Sequence, residues 1–168
     1  MRAVFVSALA LLASVVTPIT ASAHILPDLS IDQLTRRAAV IVEGDVTDVT
    51  SAWTPSRDRI YTTVTVRVSQ VHKGALGGST LNLRLLGGTV GDVTMSIVGQ
   101  PGFEPDERVF LFLAPNFERR EVPFVGSEEG KLRIAAGATG DVLLGPHQTF
   151  EKSDAVSEIR RVMQAIGQ

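Results

Sequence analysis

The sequence predicts a mainly β domain, a small antiparallel barrel or sandwich carrying one or two helices. Three observations predict it. Residues 60–71 alternate, with Ile60, Thr62, Val64, Val66 and Val68 on one face and Tyr61, Thr63, Thr65, Arg67 and Ser69 on the other. After Lys73-Gly74 and Gly77-Gly78, the segment Thr80-Leu81-Asn82-Leu83-Arg84-Leu85 alternates again, so the two runs read as an antiparallel hairpin. The period changes only at the end, where Val156, Ile159, Val162, Met163 and Ile166 recur at helical spacing.

The elements follow in chain order. Residues 1–23 read as a secretory signal peptide. Arg2 is followed by an apolar run from Ala3 to Val16, a break at Thr17-Pro18, and the small residues Ala21-Ser22-Ala23 ahead of the cut. The run is too short to span a bilayer, and no later run approaches the roughly 20 residues that a spanning helix needs. The mature chain is then residues 24–168, a single β-barrel domain beginning at His24, and its place is periplasmic or extracellular.

Ser30 followed by Gln33 predicts a capped helix start, with Ile31, Leu34 and Ala38 inward and an end near Arg37. A strand follows from Val40 to Val49, and Gly44 inside it predicts a bulge or bend. Residues 51–59 read as a polar loop. After the hairpin, Gly87-Gly88-Thr89-Val90-Gly91 reads as a hairpin or barrel corner, and Val93 to Val98 as a weak strand. Arg108-Val109-Phe110-Leu111-Phe112-Leu113 reads as a central strand. Val122 to Val125, Lys131 to Ile134 and a mate at Val142 to Leu144 complete the strands. The last helix starts at Asp154, capped by Ser153 or Asp154, with Gly167 past its end.

Composition narrows the function. The 168 residues hold 16 basic and 18 acidic side chains, and losing Arg2 with the leader takes the formal charge from −2 to −3. Both signs are interspersed, which points away from nucleic acid and from a charged membrane surface. The chain has no cysteine. Thiol catalysis, thiolate metal sites and a lipid-modified cysteine anchor are thereby excluded, and the domain must fold without disulfides.

The order of motifs carries a resemblance. Glu43-Gly44-Asp45-Val46 is followed by Ile60-Tyr61-Thr62, by Val68-Ser69-Gln70-Val71-His72-Lys73-Gly74 and by Gly87-Gly88. Gly99-Gln100-Pro101-Gly102-Phe103, then Asp106-Glu107-Arg108-Val109-Phe110-Leu111-Phe112-Leu113 and Gly130-Lys131-Leu132-Arg133-Ile134 come after. This pattern, over most of residues 34–134, resembles a group of uncharacterised secreted bacterial proteins. More distantly the layout resembles the netrin-like module of tissue inhibitors of metalloproteinases. That resemblance implies an OB-like barrel with a short N-terminal helix and a C-terminal amphipathic helix. The cysteines that pin the netrin-like module are missing here.

The candidate chemistry is sparse. A mature N-terminal His24 offers an α-amine and an imidazole, a bidentate pair for copper or zinc, with His72 or His147 as the second histidine of a copper brace. The alternative is that His24 simply follows the cut. His72 and His147 read more plainly as solvated turn residues. Asp45 and Asp48, three apart, point to opposite faces of a regular strand and form no acid/base pair unless Gly44 bulges it. No Gly-x-Ser-x-Gly, Ser-x-x-Lys, His-Glu-x-x-His or calcium-loop motif occurs. Trp53 in its loop reads equally as a partner anchor or as a cap on the barrel end. Tyr61 and Arg67, with Asn82 and Arg84 beside them, form a wet strand face suited to a partner or simply solvated.

The expected function is a non-catalytic binding module, an accessory or inhibitor of an extracytoplasmic metalloprotease. His24, Ile25 and Leu26, continuing to Leu29, would enter the partner, with Trp53 and residues 87–91 flanking them. Tyr61, Arg67 and Arg84 would add contacts, and the protein would act as a monomer. A periplasmic metal-binding protein using His24, an enzyme of unknown type and a structural envelope protein are the alternatives.

Overall fold

The computed structural model describes residues 28–167. The leader, together with His24, Ile25 and Leu26, lies outside the described residues. The first described element is the helix α1 (Ile31–Arg37), and it starts as its sequence dictates. Ser30 Oγ accepts from the Gln33 backbone N–H and the Gln33 side chain accepts from the Ser30 N–H, a reciprocal cap. Ile31, Leu34 and Ala38 are buried.

Nine strands follow: β1 (Val40–Trp53), β2 (Ile60–Lys73), β3 (Thr80–Leu86), β4 (Gly88–Val90), β5 (Val93–Met95), β6 (Arg108–Leu113), β7 (Lys131–Ala136), β8 (Asp141–Leu144) and β9 (Thr149–Glu151). The helix α2 (Lys152–Ala165) closes the described chain. Seven strands form one antiparallel sheet in the order β3-β2-β1-β6-β7-β8-β9, and β4 pairs with β5. The fold is therefore mainly β with a short N-terminal and a C-terminal helix. Among the described residues no ladder joins the outer strands β3 and β9, so backbone pairing leaves the sheet open and does not close it into the expected barrel.

The run from Val109 to Leu113 is fully buried on both faces, which forces cover on each side of the sheet. Ile41, Phe110, Phe112, Leu132, Ile134 and Leu143 meet Ile31, Leu34, Ala155 and Ile159 of the two helices. On the other face Val42, Val46, Val64, Val66, Leu81, Leu83, Leu85, Val109 and Leu111 pack together. Phe124 and the half-buried Leu76, Phe103 and Phe117 close over them. The alternation read in residues 60–68 and 80–85 thus selects this second face.

Some boundaries move. Trp53 does not lie in a loop: it is the last residue of β1, paired with Ile60. The loop shrinks because Thr54 N–H donates to Arg59 O, while Thr54 and Ser56 hydroxyls donate to Asp58. Residues 122–125 form no strand; Phe124 makes a single bridge to Leu113. The 87–91 segment is a hairpin strand, β4, and Val93–Met95 is its mate. α2 begins at Lys152, before the predicted Ser153 or Asp154 cap, because β9 delivers the chain directly into it; Glu151 at the cap position makes no side-chain cap bond.

Three bulges interrupt the β1–β2 ladder. Ile41 faces Lys73 and Val42 faces Val71, leaving His72 extra. Glu43 faces Gln70 and Gly44 faces Val68, leaving Ser69 extra. Val46 faces Val66 and Asp48 faces Thr65, leaving Thr47 extra. The bulge expected at Gly44 is present. A Cβ at this position would collide with the Arg67 carbonyl oxygen, so only glycine fits. At the end of β2, Lys73 is buried and its Nζ donates to Thr35 O in the last turn of α1 at 2.9 Å, a cationic cap that ties helix to sheet. Gly44→Ala should therefore lower the unfolding free energy by about 1–3 kcal/mol, read as a shift in urea midpoint, with the slope unchanged.

Candidate functional site

One network of ionisable groups lies on the helix-covered face of the sheet. Glu43 sits on β1 between residues that are buried, opposite Gln70 and Phe110. A carboxylate there needs partners, and the β2 bulge supplies one. His72, the extra residue, lays its ring on Phe110 at 4.8 Å and brings Nε2 to 3.2 Å from Glu43 Oε2. Lys152, the first residue of α2, donates from Nζ to Glu43 Oε1 at 2.8 Å and lies 3.6 Å from Asp141 Oδ2. Arg108 grips Asp141 with both terminal nitrogens, at 3.2 and 2.7 Å. Arg108 is also the cross-strand partner of Asp45, which accepts from Arg67 Nη2 at 3.1 Å. The result is a chain of alternating charge from His72 to Arg67, spanning four strands and a helix start.

Exposure grades this chain. The His72 and Glu43 side chains are 5% and 12% exposed, Lys152 is 21%, and Arg67 is 69%. The inner end is where a lost partner costs most, since it leaves a charge without solvent. The outer Arg67–Asp45 pair contributes little. Burial pushes the His72 imidazole below its ordinary value. Hydrogen bonding and charge from Glu43 oppose this, and Lys152 and Arg160 reinforce it. Against a carboxylate the neutral ring donates from Nε2. Arg108 holds the Asp141 carboxyl below the usual range, chiefly through its hydrogen bonds. With three cations set against three carboxylates, the chain neutralises itself. Chemically it is a strut that pins the start of α2 to the central strands and fixes the orientation of His72.

The expected partner-binding residues fall in separate places. Arg84 lies over the Tyr61 ring, 3.6 Å from its centroid, and the Tyr61 hydroxyl donates to Glu121 at 3.2 Å. Arg59 also reaches Glu121, at 3.3 Å. Trp53 is half-buried at the same end of the β1–β2 ladder. Arg59, Tyr61, Arg84 and Glu121 form one patch, whereas Trp53, the partner of Ile60, alternates onto the opposite face of the sheet and does not join it. Arg67 lies six residues from Tyr61 along β2, about 20 Å away in extended chain, and its partner is Asp45. It does not join them. Asn82 instead accepts from Thr65 at 3.1 Å.

Leu29, the end of the expected N-terminal wedge, is held through both of its backbone polar groups. Its N–H donates to Glu129 Oε2 at 3.1 Å, and its carbonyl accepts from Gln148 Nε2 at 3.2 Å. His24, the expected copper or zinc ligand, is outside the described residues. His72 does not lie in a solvated turn: the strand runs two residues further than its alternation indicates, and the bulge turns the ring inward. His147 is exposed in the β8–β9 turn, as expected. Asp45 and Asp48 do not pair. Asp45 bonds Arg67, whereas Asp48 accepts from Thr50 at 2.7 Å. Among the described residues no three His, Cys, Asp or Glu side chains converge as a metal site would need.

Glu43, Lys152 and Asp141 were not legible as a set, yet one signal was available. Glu43 interrupts an apolar run, Val40 to Val46, in a strand bound for the core, and such a charge demands a counter-charge. For His72 the sign of the pH effect follows from its lowered folded value. Above the ordinary imidazole value of 6.5 both states are neutral. As pH falls below it, the unfolded chain takes up a proton that the folded chain resists, so stability declines. The melting temperature should fall on acidification from pH 7 to 5.5, and His72→Phe should flatten that part of the profile.

No protein-family model and no curated protein matches this chain, so its functional reading rests on the geometry above.

Proposed function

We propose that the protein is a secreted, non-catalytic binding module that captures an extracytoplasmic protein, with a metalloprotease as the partner class. The observation that carries this reading is the double hold on Leu29. Glu129 and Gln148 come from two different turns and fix both backbone polar groups of one residue. The capping box at Ser30 follows at once and continues that hold into α1. A short segment leaving a fixed point loses little freedom on entering a cleft, which is what an inserting wedge requires. Residues 24–28 are only five, so their reach is set by the anchor.

The patch of Tyr61, Arg84 and Arg59 supplies a second contact of suitable chemistry. Aromatic rings and arginine are the side chains that most often dominate protein interfaces. Tyr61 and Arg84 are already stacked, so little ordering is needed there on binding.

The test uses protein cut after Ala23, its first residue verified by mass spectrometry, and the same protein with one residue added before His24. Titrated against secreted zinc proteases, the His24-first form should inhibit and the extended form should lose at least tenfold in potency. Equal potency, or no inhibition by either, overturns the wedge. Arg84→Ala should weaken capture without changing the melting temperature by more than a few degrees.

A further inference from the structure

We propose that the cavity beneath the β4–β5 hairpin binds a small uncharged sugar, a site independent of the protein-capture reading above. The cavity has a volume of about 370 Å³, and its lining contains no ionisable side chain. That volume is at the lower end of ligand pockets and suits a single pyranose ring.

Three of the polar side chains around the cavity can be assigned. Thr62 Oγ1 donates to Gly87 O at 2.7 Å. Its 2.8 Å contact with Ser51 Oγ must then be a bond that Ser51 donates. Both hydroxyl protons are committed, and Ser51 Oγ turns lone pairs to the cavity. Gln100 Nε2 donates to Leu86 O at 2.7 Å, which fixes the amide orientation, because an oxygen facing that carbonyl would be repelled. Gln100 Oε1 is therefore the end turned away from the Leu86 carbonyl; it is buried and accepts from no group among the described residues. A buried acceptor without a donor is costly.

The site thus offers hydroxyls, an amide oxygen and no charge. A phosphate or carboxylate would enter without a cation, and an ammonium without a carboxylate. A neutral ligand rich in O–H donors fits both facts. Val64 and Leu85 are buried beside these groups and give the C–H face of a ring an apolar floor.

The experiment follows amide chemical shifts of the mature protein on titration with glucose, galactose and N-acetylglucosamine, and with glucose 6-phosphate as the charged counterpart. At least one neutral sugar should bind, shifting amides of residues 49–64 and 85–103, with the phosphate ester at least tenfold weaker. Ser96→Phe places a ring at the exposed rim and removes no hydrogen bond given to Ser96, and should weaken binding at least tenfold with an unchanged melting temperature. Gln100→Met should do the same by deleting the acceptor. Should Gln100→Met lose its fold, Ser96→Phe alone decides. Absence of binding by all three neutral sugars at 50-fold millimolar excess, equal binding of the phosphate ester, or undiminished binding by Ser96→Phe overturns the proposal.

Discussion

The structure depends on one strand that cannot touch water on either side. β6 presents Val109, Leu111 and Leu113 to one face of the sheet and Phe110 and Phe112 to the other, all of them fully buried. Two covers are thereby required, and the chain builds them by different means. On one side α1 and α2 lay apolar stripes on the sheet. On the other the strands β1, β2 and β3 pack their own inner residues against those of β6, and aromatic side chains from loops fill the remaining gaps. The helical cover comes from the two ends of the described chain and the other mostly from residues 40–86, yet both converge on the same five residues. Loss of either would expose several large side chains, each contributing about 1.5–3 kcal/mol by burial.

The charged chain from His72 to Arg67 belongs to the helical cover. An amphipathic helix laid on a sheet can slide, since apolar contact has no direction. Lys152 removes that freedom, because its ammonium is held between Glu43 and Asp141. The opposite end of the same layer is fixed by Lys73 on the Thr35 carbonyl. Two lysines thus fix two helices against one sheet, each by a directional bond at a helix end. In α1 the cation meets the negative end of the helix, the favourable sense.

Much of this was legible in the residues. The α1 cap, the β2–β3 hairpin, the double burial of β6 and the bulge at Gly44 all follow from local rules that nothing in the tertiary structure overrides. The terminal helix was legible too, except for its first turn. What escaped was set by register. The alternation of β2 was read only to Val71, and two bulges near the strand end turn His72 inward, so a residue read as a solvated turn lies on the covered face. Trp53 was misplaced for a related reason: a hairpin closed by hydroxyl and carboxylate bonds resembles a loop in composition. The partner face suffered likewise. Tyr61 and Arg84 meet because Arg84 pairs with Thr63, next to Tyr61, whereas Arg67 is too far along the strand to join them.

The β4–β5 hairpin has a different standing from the rest. It leaves β3 through Gly87 and Gly88, at φ of +97° and +127°, and its two strands share only three residue pairs. Gly87 N–H to Ile60 O and the Gln100 amide to Leu86 O are among the few bonds that hold it to the sheet. Val93 in the hairpin and Val98 just beyond it are exposed. Its opening does not require β6 to lose either cover. Such a weakly tethered hairpin is the kind of segment that opens locally, so amide protons of residues 88–95 should exchange with solvent well before those of β1 and β6.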